Sequence, residues 1–271
     1  MDAHSILSQA MLPCVGDGEA ASSLLESCDS SRYLLLLVWP QLGDFDTLEY
    51  AWWVMRDLLQ LNAANIEVRA VGIGNLAAGK KFCDYTGFPA DSLYMDTTAS
   101  LHQALELYQG LTVSVPGFKP QQSGYLNLLL MCAGIGSPGT LKEVFRGYKG
   151  DKASPQLIAD DEVVKAGPLP ALKGDVFKVA GGKGFQRPFE LATLRLRNMT
   201  EVLSNWNTYV PDAAYLTQRG ATFLFEPEAA AEGGPVRKLI YEWRDRNILG
   251  FAENMSNPLS FLENYVPTYG E

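Results

Sequence analysis

A mixed α/β fold is predicted, with a mainly parallel sheet that closes on an antiparallel hairpin, and three observations predict it. The uncharged run Tyr33 to Trp39 reads as a central strand buried on both faces. Strand-like and helix-like segments alternate three times from there to residue 108, an order that calls for parallel strands with right-handed crossovers. Two further strand-like segments, 221–227 and 238–245, are separated by a Gly- and Pro-containing turn and read as a hairpin with a long loop.

Each element has a local reason. Residues 1–31 form a polar N-terminal arm with a weak helical pattern from Ala21 to Cys28, and the domain proper spans 32–271. After Pro40, apolar residues at Leu48, Trp52, Met55, Leu58 and Leu59 have helical spacing, and Asp46 with Glu49 suggests a capping box that starts the helix at Asp46. Segment 66–74 is the second strand, and 76–87 is a helix ending on a C′ glycine, Gly87. A short third strand follows in FPADSLYMD, then a helix at 100–108. From 110 to 217 the pattern turns irregular and rich in Gly and Pro, with helices expected at 139–148 and 189–206 and a β-like piece at DVFKVAGG, so this stretch reads as an insertion. A last helix fits 257–266.

Composition bounds the function. The chain has 271 residues and a formal net charge of −9, a field that repels nucleic-acid phosphates and anionic membranes, so no nucleic-acid partner is expected. The longest apolar runs, 32–39 and 125–134, fall well short of the roughly 20 residues of a membrane-spanning helix. The N-terminus has no basic stretch ahead of an apolar one, which points away from a secretory signal and toward a reducing compartment, the cytoplasm or a plastid stroma, with peripheral attachment to thylakoids as a variant. Cys14, Cys28, Cys83 and Cys132 are scattered without a CxxC pair, so neither a metal site nor any other cofactor is expected. Only His4 and His102 are available as imidazole bases, which weakens the hydrolase readings.

Strands in the order β-α-β-α-β followed by a hairpin and a closing helix are the thioredoxin topology. With it, the strings VWPQLGDFDTLEYAWW (38–53), VRAVGIG (68–74), FCDYTGFPADSLYMD (82–96), FRGYKGD (145–151) and QRGATFLFEP (218–227) make the chain resemble the peroxiredoxin-like proteins of the alkyl hydroperoxide reductase and thiol-specific antioxidant (AhpC/TSA) superfamily. The resemblance is strongest to a form found in photosynthetic prokaryotes and plastids, and only that form covers 152–217. It implies a peroxidatic cysteine at the N-terminus of the helix after the first strand, where unpaired N–H groups and the helix dipole stabilise a thiolate. In the ordinary pattern a Pro and a Thr precede that cysteine; the peroxiredoxin-like group carries CxxC there instead. Here the loop reads Pro40, Gln41, Leu42, Gly43, Asp44, Phe45, Asp46, Thr47, with Asp44 and Thr47 falling near where those cysteines would align. The site is degenerate by this comparison, because no cysteine stands in it and two carboxylates occupy the positive end of the dipole.

Two functional readings follow. In one the chain is a non-catalytic binding or assembly protein that docks a protein partner through residues 110–217, with a photosynthetic complex as the setting that the resemblance implies. Its basic residues Arg187, Arg195 and Arg197, with Lys178 and Lys183, and its aromatics Trp206 and Tyr209 then mark the partner surface; alternatively the arginines are a solvated helix face and the aromatics seal the insertion onto the domain. In the other it is a thiol-dependent peroxidase or oxidoreductase in which a displaced cysteine serves, Cys83 being the first candidate. Cys83 has a plainer reading as a small core residue, Cys132 reads as core in its apolar run, and Cys14 and Cys28 read as exposed. Gly134, Gly136 and Gly139 match G-x-G-x-x-G, a dinucleotide signature that holds only if the loop joins a strand to a helix.

Overall fold

The computed structural model describes residues 2–25, 28–167, 169–231 and 234–270. Its centre is a five-stranded mixed sheet. The strands are β1 (Tyr33–Gln41), β2 (Ile66–Ile73), β3 (Leu93–Asp96), β4 (Ala221–Phe225) and β5 (Leu239–Arg244), in the spatial order β5-β4-β1-β2-β3. β1 to β3 run parallel and the β4–β5 hairpin joins antiparallel to β1, with Leu36 opposite Arg69 on one side and Phe223 on the other. This is the thioredoxin-like architecture.

Strand β1 lies in the middle because Leu34 to Val38 can all be buried, and all are. Side chains alternate across a strand, so Leu35, Leu37 and Trp39 enter one core and Leu34, Leu36 and Val38 the other. The first core is covered by α1 (Phe45–Arg56) and α2 (Leu76–Thr86), with Trp39 tilted against Phe82 at 5.4 Å and Tyr50 at 6.5 Å. Helix α2 ends as expected, Gly87 adopting φ +77° and donating its N–H to the Cys83 carbonyl. Fully burying an aliphatic side chain of the Leu type contributes about 1.5–3 kcal/mol, which makes β1 the chief apolar investment of the fold.

The second core corrects the reading of the N-terminal arm. Helix Ala3–Gln9 and the paired strands Met11–Pro13 and Ala21–Ser23 close it with Leu7, Leu12, Cys14 and Leu24. Within the helical pattern expected over 21–28, Ala21–Ser23 form a strand instead, pairing with 11–13 having outweighed a weak local preference, and residues 26 and 27 lie outside the described residues.

Three other expectations are corrected. The helix from residue 100 stops at Ala104, because Glu106 takes a left-handed φ of +55°. DVFKVAGG forms a 3-10 turn, Gly174–Ala180, since the amides of Gly174 and Asp175 bond the carbonyls of Glu162 and Asp160 rather than a strand. The last helix is only the 3-10 segment Ser260–Asn264, which brings Phe261 onto the Tyr241 ring at 4.0 Å.

The insertion is largely helical: α3 (Pro120–Cys132), α4 (Thr140–Lys149) and α5 (Pro188–Ser204). Helix α3 was not legible in the sequence, because its apolar residues do not gather on one face: Met131 is fully buried and Leu129 is 68% exposed. No described helix is long and apolar enough to cross a membrane.

Candidate functional site

The loop from β1 into α1 is where the fold would hold a nucleophile. Asp44, not Asp46, caps the helix: its Oδ1 accepts from the Asp46 amide at 3.0 Å, and α1 begins at Phe45. Asp46 is unavailable for capping because it faces inward, where its Oδ2 accepts from the Leu249 amide at 2.7 Å and from Arg219 Nη1 at 3.4 Å. Arg219, 1% exposed, also pairs with Asp44 and donates Nε–H to the Thr217 carbonyl at 3.2 Å. Asp245 stands nearby, its Oδ2 accepting from the Gly220 amide at 3.2 Å. Burial, with the Asp44 charge adding, raises the Asp46 carboxyl well above the usual carboxylate range, and burial pushes Asp245 up to about 7. The end of α1 that would bind an anion is thus occupied by the chain's own carboxylates, locked by one buried guanidinium.

The insertion seals this loop. A Cβ on Gly43 would lie 2.9 Å from Tyr209 Cβ and 3.0 Å from Val210 Cγ2, so only glycine permits this approach. Gln41 donates Nε2–H to the Asp212 carbonyl, and Thr47 Oγ1 contacts the Gln41 carbonyl at 3.4 Å. Pro40 lies inside the buried run, which extends from Leu34 to Gly43.

Beside the loop, between α1, α4 and α5, opens an apolar cavity of about 380 Å³ whose walls include Phe45, Val144, Leu191, Leu196 and Leu249. A smaller chamber of about 90 Å³, lined by Gln41, Gly43, Asp44, Leu128 and Trp206, shares Phe45, Cys132, Ile248 and Leu249 with it.

The cysteines fall otherwise than expected. Cys83 is half-buried on α2 and lines neither chamber; burial, with Asp84, Cys14 and Asp91 nearby, pushes its thiol up to about 12. Cys132, read as core, is exposed at the end of α3 and borders both chambers, because the helix carries its apolar residues outward as well as inward. Desolvation and the charges of Asp44 and Asp46 raise its thiol as well. Cys14, read as exposed, is 1% exposed in the second core, and Cys28 is half-buried and pushed up to about 11 by burial. His102 is wholly buried, its Nε2 2.9 Å from the Trp39 carbonyl, and burial pulls it down to about 4, so it is no base for this site.

The arginines of the basic cluster form neither a solvated face nor a free cationic surface, and only Lys178 and Lys183 stand at the exposed edge. Arg187 has no exposed side chain and is paired with Glu190 at 2.8 Å, while Lys178, Lys183 and Arg187 converge on Asp160. Arg195 ties α5 to α1 through Glu49 at 2.9 Å and to α4 through Glu143 at 3.2 Å. Arg197 lies over the Tyr85 ring at 5.3 Å. Tyr209 is buried against the loop, and half-buried Trp206 donates its indole N–H to Tyr125 Oη at 3.0 Å. Arg187 and Tyr209 are accordingly corrected as partner-surface residues: both are internal. Sequence reasoning missed Arg219, Gln41 and Cys132 as site residues. A charged residue two positions before an uncharged, mostly apolar strand was the available signal for Arg219.

The glycine motif joins helix α3 to helix α4. Gly134, Gly136 and Gly139 all have positive φ in a turn held by Ser137 and Thr140 against residue 248, so the strand that a dinucleotide loop needs is absent from it. Among the described residues no cluster of His, Cys, Asp and Glu could hold a metal ion.

Comparison with known proteins agrees with the sheet. The family model described as AhpC/TSA antioxidant enzyme matches residues 53–247. The match begins inside α1 and does not include residues 40–47. No curated protein matches the chain. With most of its sheet and its whole insertion inside the match, the chain belongs to the AhpC/TSA antioxidant-enzyme family.

Proposed function

We propose that this chain is a non-catalytic member of its family, a binding or assembly protein that keeps the thioredoxin-like platform and engages a protein partner through the insertion at 110–217. The observation that carries this reading is the Asp44–Arg219–Asp46 lock at the start of α1, which fills the position of a peroxidatic thiol with paired carboxylates. A second feature supports the partner: apart from Met11, Phe45, Leu59 and Tyr265, the large apolar side chains exposed among the described residues all lie between 110 and 217. Leu129, Leu141, Phe145, Tyr148 and Leu203 of α3, α4 and α5 belong to this set. From the resemblance to forms of photosynthetic prokaryotes and plastids, we infer a partner in a photosynthetic assembly.

The second reading, a thiol peroxidase with a displaced cysteine, is favoured by one observation: Cys132 borders both chambers beside Phe45 and Asp44. It displaces Cys83 as the residue to test. Peroxide consumption in the presence of a dithiol reductant, measured for the native chain and for Cys132→Ser and Cys83→Ser, separates the two. The binding reading expects consumption no faster than reductant alone in all three. Catalysed consumption that disappears with either substitution overturns it.

A further inference from the structure

Gln41 is 2% exposed, and its Nε2 is committed to the Asp212 carbonyl, yet its Oε1 has no partner among the described residues. A buried acceptor without a donor is unfavourable, and Gln41 lines the smaller of two chambers that share Phe45, Cys132, Ile248 and Leu249 as walls. The larger chamber is apolar, at a volume typical of small-molecule sites. Its one cationic wall residue, Arg195, is spent on Glu49 and Glu143. Asp44 lines the small chamber, paired with Arg219 behind it, so the polar end of the site offers acceptors and no free cation among the described residues.

We propose that the two chambers form one binding site for an uncharged, apolar molecule carrying a terminal hydroxyl group. The apolar body fills the space between α4 and α5, and the hydroxyl donates to Gln41 Oε1. A carboxylate of the same length is rejected, because it brings an acceptor to an acceptor and a negative charge beside Asp44. The site extends the binding-protein reading without depending on a protein partner, and it holds even if the chain has a slow thiol activity.

Cys132 borders both chambers and therefore reports occupancy. The rate of its alkylation by iodoacetamide would be followed by mass spectrometry on the native chain while 1-octanol or octanoate is titrated in, with Cys83 as the internal control. Octanol is expected to slow Cys132 at saturation and leave Cys83 unchanged, with octanoate binding at least about tenfold more weakly. Gln41→Leu, assayed well below its own melting temperature, should weaken octanol about five- to tenfold. Leu196→Trp, which fills the large chamber and leaves Gln41 intact, should abolish protection. The proposal is overturned if octanol gives no protection, if octanoate protects equally, or if Gln41→Leu leaves octanol binding unchanged. Peroxide consumption is not among these readouts, so failure here is distinct from failure of the non-catalytic reading.

Discussion

The sheet and the insertion are built in opposite ways. The sheet hides its apolar residues and keeps few charges inside; the insertion shows apolar side chains to the outside and is fastened from within by arginines. Arg195 holds α5 to α1, Arg187 and Glu190 hold the start of α5, and Arg56 of α1 reaches the carbonyls of Gln156 and Leu157. A sheet closed by burial needs nothing further, whereas an insertion held by directional pairs can spare its apolar faces for something else. The loop from β1 into α1 lies where the two meet, with Arg219 at the seam.

The largest effect that would break this contrast is at that seam. Arg219→Met should leave Asp44, Asp46 and Asp245 without a cation and cost about 3–5 kcal/mol in urea unfolding at pH 8. A cost below about 1 kcal/mol would mean that the lock does not hold the two parts together.

Asp245→Asn tests the same network through pH. The folded carboxyl titrates near 7 against an ordinary value of 3.8, so between those values the folded state holds a proton that the unfolded chain has lost. Stability from this group is present below about pH 4, falls as pH rises toward 7, and is flat above. The Asn variant should be more stable than the native chain at pH 8, on the order of a few kcal/mol, with the difference shrinking toward pH 4. Melting temperatures at pH 4.5, 6 and 8 measure this; parallel curves for both proteins would refute the assignment.

Arg195→Met isolates the insertion. Losing its bonds to Glu49 and Glu143 should cost about 1–3 kcal/mol, and hydrogen exchange should rise in α4 and α5 while β1 and β2 stay protected. Loosening that spreads equally into the sheet would show a single cooperative unit. The smallest effect is expected for Phe145→Ser, 60% exposed on α4: stability should shift by no more than about 0.5 kcal/mol. A larger loss, seen as a lowered melting temperature, would place Phe145 in the structural part of the insertion.

Legibility followed the same division. The buried strand at 33–39, the helix closed by Gly87 and the hairpin announced themselves through periodicity and turn chemistry, which act within a few residues. The cap lies two residues from where it is expected, because Asp44 and Asp46 are equally good caps locally and only Arg219, far along the chain, draws Asp46 inward. Arg187, Arg195 and Arg197 looked like one basic patch, and two of them are internal fasteners whose partners lie on other elements or one helical turn away. Cys132 looked like core for want of any face on α3.

By itself the sequence determined the thioredoxin-like sheet, the family resemblance, and the lack of a cysteine at the start of the first helix, since apolar runs, turn residues and residue identity are all local properties. Only the tertiary structure decided what occupies that position, which thiol stands beside it, and that a buried orphan amide oxygen belongs to a residue lining a cavity. Those are questions of which distant side chains meet in a low-dielectric interior, and there a charge or a polar atom must find its partner across the fold rather than along the chain.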